Sequence, residues 1–232
     1  MPRAIKKKNR KKAAGAETEV VDKLTDIRDR LKTKQKTVLT YGIIFAVVVV
    51  AAAGIFIYLY SEGQKSRQLA YEAYKAYYNE FQRQPSAGQE HFQKALDLFK
   101  QAYQKKKSAR VLFYIGASYS ELGKYDDALK NLNELIRDHP SDKDILPLAY
   151  QKIADIQIRK GDKDGALKTL NTLYISAGSI YKDLALVESA RILESEGKKE
   201  EALAKYKELV EKFKESPYLA EAEAKIGEKK AG

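Results

Sequence analysis

Between Lys36 and Glu62 the chain carries no charge, and the 25 residues that separate them, TVLTYGIIFAVVVVAAAGIFIYLYS, are almost wholly apolar. Elsewhere apolar residues recur at helical spacing among charges. At 1.5 Å of rise per residue such a stretch reaches about 37 Å as a helix, enough to cross a hydrocarbon core of about 30 Å with some tilt. The pattern predicts a transmembrane helix over residues 37–61. Tyr41 at one end and Tyr58 and Tyr60 at the other place amphipathic rings at the depth of the lipid headgroups. A cleaved secretory leader fits less well, because 36 residues precede the run and cleavage near Ala51 to Gly54 leaves IFIYLY exposed. Ala46, Ala53 and Gly54 offer small residues where a second membrane helix can approach.

On either side the period changes. Before the span, Val20, Leu24, Ile27 and Leu31 recur at spacings of four, three and four within residues 17–36, which predicts a short amphipathic helix. After it, Leu69, Ala70, Ala73, Tyr74, Tyr77 and Phe81 stripe a helix over residues 62–82, a turn follows at QPSAG, and Phe92, Ala95, Leu96, Phe99, Ala102 and Tyr103 stripe a second helix over 89–104. Two short-linked antiparallel helices cannot bury their own apolar faces, so recurrence is expected.

The unit recurs. Residues 109–140 carry Leu112, Ile115, Gly116 and Tyr119 on one helix, then Gly123, Tyr125, Ala128, Leu132, Leu135 and Pro140. The stretch closely resembles the tetratricopeptide repeat: Gly116 and Ala128 let two helices approach, Gly123 relieves the turn, and Tyr119 fills space against the neighbouring pair. Residues 147–178 repeat the scheme with Ala154, Gly161, Ala166, Leu170 and Leu173, and residues 183–214 repeat it with Ala190, Gly197, Ala202, Tyr206 and Leu209. Ala95, Ala128, Ala166 and Ala202 step by 33, 38 and 36 residues, and Pro85, Pro140, Pro147 and Pro217 fall at the boundaries of this register. The resemblance covers about residues 66–230 and implies an all-α solenoid of three to four helix pairs, closed by a capping helix over 218–230.

Charge divides the chain in the same places. Of the net +11, residues 1–36 hold +8 and the remainder only +3, so the excess belongs to the head and is not a nucleic-acid surface on the domain. Residues 21–36 hold six Lys and Arg against three in residues 61–76, and the positive-inside tendency then keeps the N-terminus in the cytoplasm. The expected organisation is a basic cytoplasmic head over 1–36, disordered before the amphipathic helix, a span over 37–61, and a repeat domain over 62–232 across the membrane. In a bacterium that is the inner membrane with a periplasmic domain. The run KKKNRKK suits anionic lipid, RNA or protein and decides among none of them.

Catalytic chemistry is thinly supplied. There is no cysteine, and there are two histidines. His139 precedes Pro140 where a helix ends, a capping position, and His91 opens a helix and is expected exposed. No phosphate loop, nucleophile elbow or paired-histidine metal motif occurs. The chain reads as a non-enzyme without cofactor or metal, and its working surface is the groove that first helices of a solenoid line. In the repeat register the groove positions are Arg110, Phe113, Ala117, Ser120 and Glu121, then Gln151, Asp155, Ile158 and Arg159, then Val187, Arg191 and Glu194. Arg110, Arg159 and Arg191 suit acidic or backbone groups of an extended segment. Some tetratricopeptide domains clamp a terminal carboxylate with Lys and Asn at the places held here by Phe113 and Ala117, which argues against that recognition.

In plan, and most closely over residues 179–209, the chain is similar to ancillary subunits of the bacterial Sec translocon. That resemblance implies protein partners among translocon subunits and periplasmic folding factors, although the lysine-rich head departs from the acidic heads of that family. An organiser of envelope assembly and an import receptor with a cytosolic domain remain alternatives. The sequence also leaves open whether residues 62–82 fill the groove themselves.

Overall fold

Runs of Ala, Leu, Lys and Glu with few β-branched residues after the span favour helices, and in the computed structural model helices are what they form. The structure describes residues 11–78, 89–176 and 179–231. The run at 1–10, Phe81 and the expected turn at 84–88 lie outside the described residues. The elements are α1 (Lys11–Tyr78), α2 (Glu90–Lys105), α3 (Ala109–Glu121), α4 (Tyr125–Asp138), α5 (Leu146–Arg159), α6 (Lys163–Ser176), α7 (Ser179–Ser195), α8 (Lys199–Lys212) and α9 (Leu219–Ala231). No strand occurs among the described residues. The chain divides into two compact units, one up to Tyr60 and one from Ser61.

In the first unit, α1 begins at Lys11, inside the segment expected to lack order. Ala13, Ala14 and Ala16 among lysines are strong helix formers, which a reading from charge undervalues. Val21, Leu24 and Ile27 are exposed, and so is every residue from Val38 to Tyr60, the large apolar ones by 47% for Val49 to 71% for Val50. By length and composition this helix is long and apolar enough to cross a membrane. Tyr41, Tyr58 and Tyr60 are exposed with the rest.

In the second unit, residues of α1 from Ser61 pack antiparallel on α2. The Ser66 hydroxyl donates to the Ala102 carbonyl at 2.8 Å, and Tyr74 and Tyr77 meet Phe99 and Phe92 edge to face. α3 pairs with α4, α5 with α6 and α7 with α8, while α9 lies on α8. The result is a solenoid of four helix pairs and a last helix. Ala95, Ala128 and Ala166 are fully buried, and Ala202 is 1% exposed. Short turns between paired helices use Gly123, Gly161 and Gly197 at φ of +70°, +81° and +75°, a conformation that favours glycine. Tyr119 packs on the core with the Lys100 ammonium of α2 over its ring at 4.9 Å.

Gly116 sets the α3–α4 spacing. A Cβ built there would stand 2.8 Å from Leu132 Cγ and 3.4 Å from the Ala128 carbonyl oxygen, and Leu132 is itself fully buried. Gly116→Val is therefore expected to destabilise the domain by about 2 kcal/mol through overpacking. Gly227 on α9 meets nothing within 4 Å, so Gly227→Ala is expected to be neutral or to stabilise by up to about 1 kcal/mol. Urea unfolding of both variants checks the opposite signs.

Candidate protein-interaction groove

Residues at spacings of three and four share a helix face, and on α5 this brings Leu148, Gln151, Lys152, Asp155 and Ile158 into one line. With Phe113 of α3 and Glu188 of α7 they border a cavity of about 350 Å3, with Ala154 and Leu170 also in its wall. Phe113, Leu148 and Ile158 make its apolar part, and Ile158 is 37% exposed. Of the expected groove residues, Phe113, Gln151, Asp155 and Ile158 come together here. Leu148, Lys152 and Glu188 were missed, although the first two lie one helical turn from Gln151 and Asp155.

Other expectations need correction. Ser120 is 3% exposed, Ala117 2%, and Val187 not at all. Ser120 and Ala117 are small residues closed within the helix packing. Val187 ends a run from Asp183 that is buried throughout, so α7 has no solvent stripe there. Arg110 is exposed on α3 and does not line the cavity.

The two other arginines are already engaged. Arg159 Nε donates to both oxygens of Asp155, at 3.1 and 3.2 Å, and this bond raises the guanidinium pKa further. Lys152 Nζ stands 3.4 Å from Glu121 and 3.8 Å from Asp155. Arg191 forms a bidentate pair with Glu221 of α9, at 2.9 and 2.6 Å, and a further bond to Glu188 at 2.6 Å. The groove is thus an apolar floor with a rim of matched charges. Exposed pairs of this kind are worth little each and exchange partners readily.

The Arg191 fork holds the Glu221 carboxyl below its ordinary value of 4.5. Since the folded value is the lower one, the stabilisation is present in full above about pH 4.5 and is lost as pH falls through the folded value. Glu221→Gln is expected to cost about 1 kcal/mol at neutral pH, discounted for the partial exposure of the pair, and nothing once the carboxyl is protonated. Urea unfolding at both pH values checks this.

The N-terminal end of the same face is aromatic. The ring of Tyr114 stacks on Phe99 with centroids 5.2 Å apart and meets Tyr74 and Tyr77 edge on, and its hydroxyl shares a 2.8 Å hydrogen bond with that of Tyr78. Burial raises the pKa of both Tyr77 and Tyr114. α1 therefore meets α2 and α3 as the first helix of the first pair, and no α1 residue borders the cavity. Among the described residues, the groove is not self-occupied by this helix.

The histidines stand apart from the groove. His139 caps α4, its backbone N–H donating to the Leu135 carbonyl at 2.9 Å. His91 is half-buried rather than exposed, because its ring lies on Phe92 with centroids 3.9 Å apart.

A family described as tetratricopeptide repeat-like domain matches residues 34–227. No curated protein sequence matches the chain. Among solved structures, the crystal structure of MamA protein is similar at a TM-score of 0.54 and 17% identity, over 71% of this chain and 80% of that one. A tetratricopeptide repeat protein from Parabacteroides merdae is similar at a TM-score of 0.55 and 17% identity, over 70% of this chain and 59% of that one. At these identities the likeness shows the fold alone.

Proposed function

The chain belongs to the tetratricopeptide repeat-like domain family, and from that premise we propose that it is a membrane-anchored protein-interaction scaffold that assists translocon-associated or periplasmic protein biogenesis. The observation that carries the reading is the groove of α3, α5 and α7: its apolar floor is open and its rim charges are mutually satisfied. Such a surface suits extended segments with apolar side chains, which gain by burying them and need displace only weak surface pairs.

Three organising parts belong to the proposal: the basic head over 1–36, the span over 37–61 with Tyr41, Tyr58 and Tyr60 at its interfaces, and the repeat domain over 62–232. The exposure of every residue from Val38 to Tyr60 supports the span, since a soluble protein rarely leaves so large an apolar surface in water. The excess of Lys and Arg before the span supports a cytoplasmic head and a domain across the bacterial inner membrane. Tethering then raises the effective concentration of the groove beside chains emerging from the membrane, without new contacts.

The expected outcome in sealed inside-out vesicles is that protease leaves the repeat domain intact until detergent is added, and that translocon subunits or secretory folding factors co-purify with it. Digestion without detergent contradicts the orientation. Co-purification of wall-synthesis or division proteins instead replaces the biogenesis role with an envelope scaffold.

A further inference from the structure

The last turn of α2 is fixed to the first turn of the repeat unit. Lys105 Nζ pairs with Glu62 at 3.0 Å, Ser66 bonds the Ala102 carbonyl at 2.8 Å, and the Lys106 stem lies 3.8 Å from where a Cβ on Gly63 would stand. Glu62 and Gly63 follow Tyr60, the last ring of the apolar stretch, by two and three residues. A chain reaches at most about 3.6 Å per residue. Whatever the angle at which the domain leaves the stretch, chain connectivity therefore keeps the Lys106 stem within about 15 Å of its end. The headgroup layer is itself about 5–7 Å deep on each side of the hydrocarbon core.

Lys105, the last residue of α2, and Lys106 and Lys107 of the α2–α3 turn form a run of three lysines. Lys105 is engaged by Glu62, whereas Lys106 and Lys107 are exposed and form no ion pair among the described residues. The field of Lys107 does reach Asp138. Other described turns on this edge of the solenoid differ. The α4–α5 turn and its flank mix Arg137 and Lys143 with Asp138, Asp142 and Asp144, and the α8–α9 turn and its flank mix Lys212 and Lys214 with Glu211 and Glu215. Among the described turns of this edge, adjacent lysines without an ion-pair partner thus sit at the one held against the residues that follow the span in sequence.

We propose that the α2–α3 turn, through Lys106 and Lys107, docks on the anionic phospholipid headgroups of the membrane that residues 37–61 cross. The inference rests on the anchoring reading above. Lysines near an anionic surface each favour the bound state about fivefold, over a range of about 8 Å in physiological salt. A second point of attachment beside the span restrains the domain from swinging about Ser61 and holds the groove at a fixed height over the bilayer.

Because the chain has no cysteine, Gln104→Cys, at an exposed position beside the run, and Lys199→Cys, at the start of α8, each accept one fluorophore. The full chain is reconstituted into vesicles of phosphatidylcholine, alone or with an equal part of phosphatidylglycerol, with a headgroup spin label as quencher. The expected result is strong quenching of the Gln104 reporter in the mixed vesicles only, with the docked-to-undocked ratio falling about fivefold for each of Lys106→Gln and Lys107→Gln. Both substitutions leave the Lys105–Glu62 pair in place. The Lys199 reporter is expected to remain unquenched in both. Equal quenching of the Gln104 reporter in both lipids overturns headgroup docking while the chain still floats with the vesicles, and a chain that does not float overturns the anchoring reading with it.

Discussion

Val48→Arg/Val49→Arg is expected to strip the chain from the membrane fraction. Each arginine at the centre of a spanning helix costs about 3 kcal/mol of insertion free energy relative to an apolar residue, so the pair costs about 6 kcal/mol. Both valines are exposed, at 58% and 47%, and touch no core, so a loss cannot come from unfolding of the repeats. Carbonate extraction separates the outcomes: the unmodified chain stays in the pellet and the double variant moves to the supernatant with its repeat unit still folded by circular dichroism. Retention of the double variant in the pellet would show that residues 37–61 do not anchor it.

Phe99→Ala is expected to destabilise the repeat domain by about 3–5 kcal/mol. Phe99 is fully buried, meets Tyr74 edge to face at 5.1 Å, and stacks on Tyr114 at 5.2 Å, so it joins α2 to both α1 and α3. Removing the ring leaves a void among side chains that belong to three helices. The cost is large against the roughly 5–15 kcal/mol that holds a domain folded. Because a solenoid is held by contacts between neighbours, the damage should concentrate at its N-terminal end. Amide exchange is expected to quicken in α1 from Ser61, α2 and α3, with α7 to α9 nearly unchanged. A loss below about 1 kcal/mol, or equal exchange in all helices, would contradict the assignment of Phe99 as the N-terminal keystone of packing.

The repeat architecture is legible in the sequence because its requirements are local and recur. Glycine at 123, 161 and 197 answers to a backbone turn that side chains resist, and Gly116 opposite Leu132 answers to a helix contact with no room for a methyl. The groove is less legible. A repeat register locates helix faces but not their rotation to within a residue, and near a buried run such as Asp183 to Val187 the polar and apolar sides no longer alternate. Ser120 looks like a solvent residue by polarity, yet its small size places it in the packing. The pairing of Arg191 with Glu221, thirty residues away, has no local signature, so the guanidinium looked available when it is committed to α9. Lys106, and with it the neighbouring Lys107, gains meaning only once the structure sets the Lys106 stem beside Gly63.

The central claim is that a membrane-held chain grips protein segments in the groove of α3, α5 and α7, and in-cell photocrosslinking tests it most directly. Gln151, exposed on the cavity rim, receives the photoreactive residue, and Lys130, exposed on α4, serves as the control. The expected result is that translocon subunits, secretory folding factors or their clients attach from position 151 alone, and that the yield collapses in the Val48→Arg/Val49→Arg background. Equal labelling from both positions, or yield unchanged without the anchor, would contradict it.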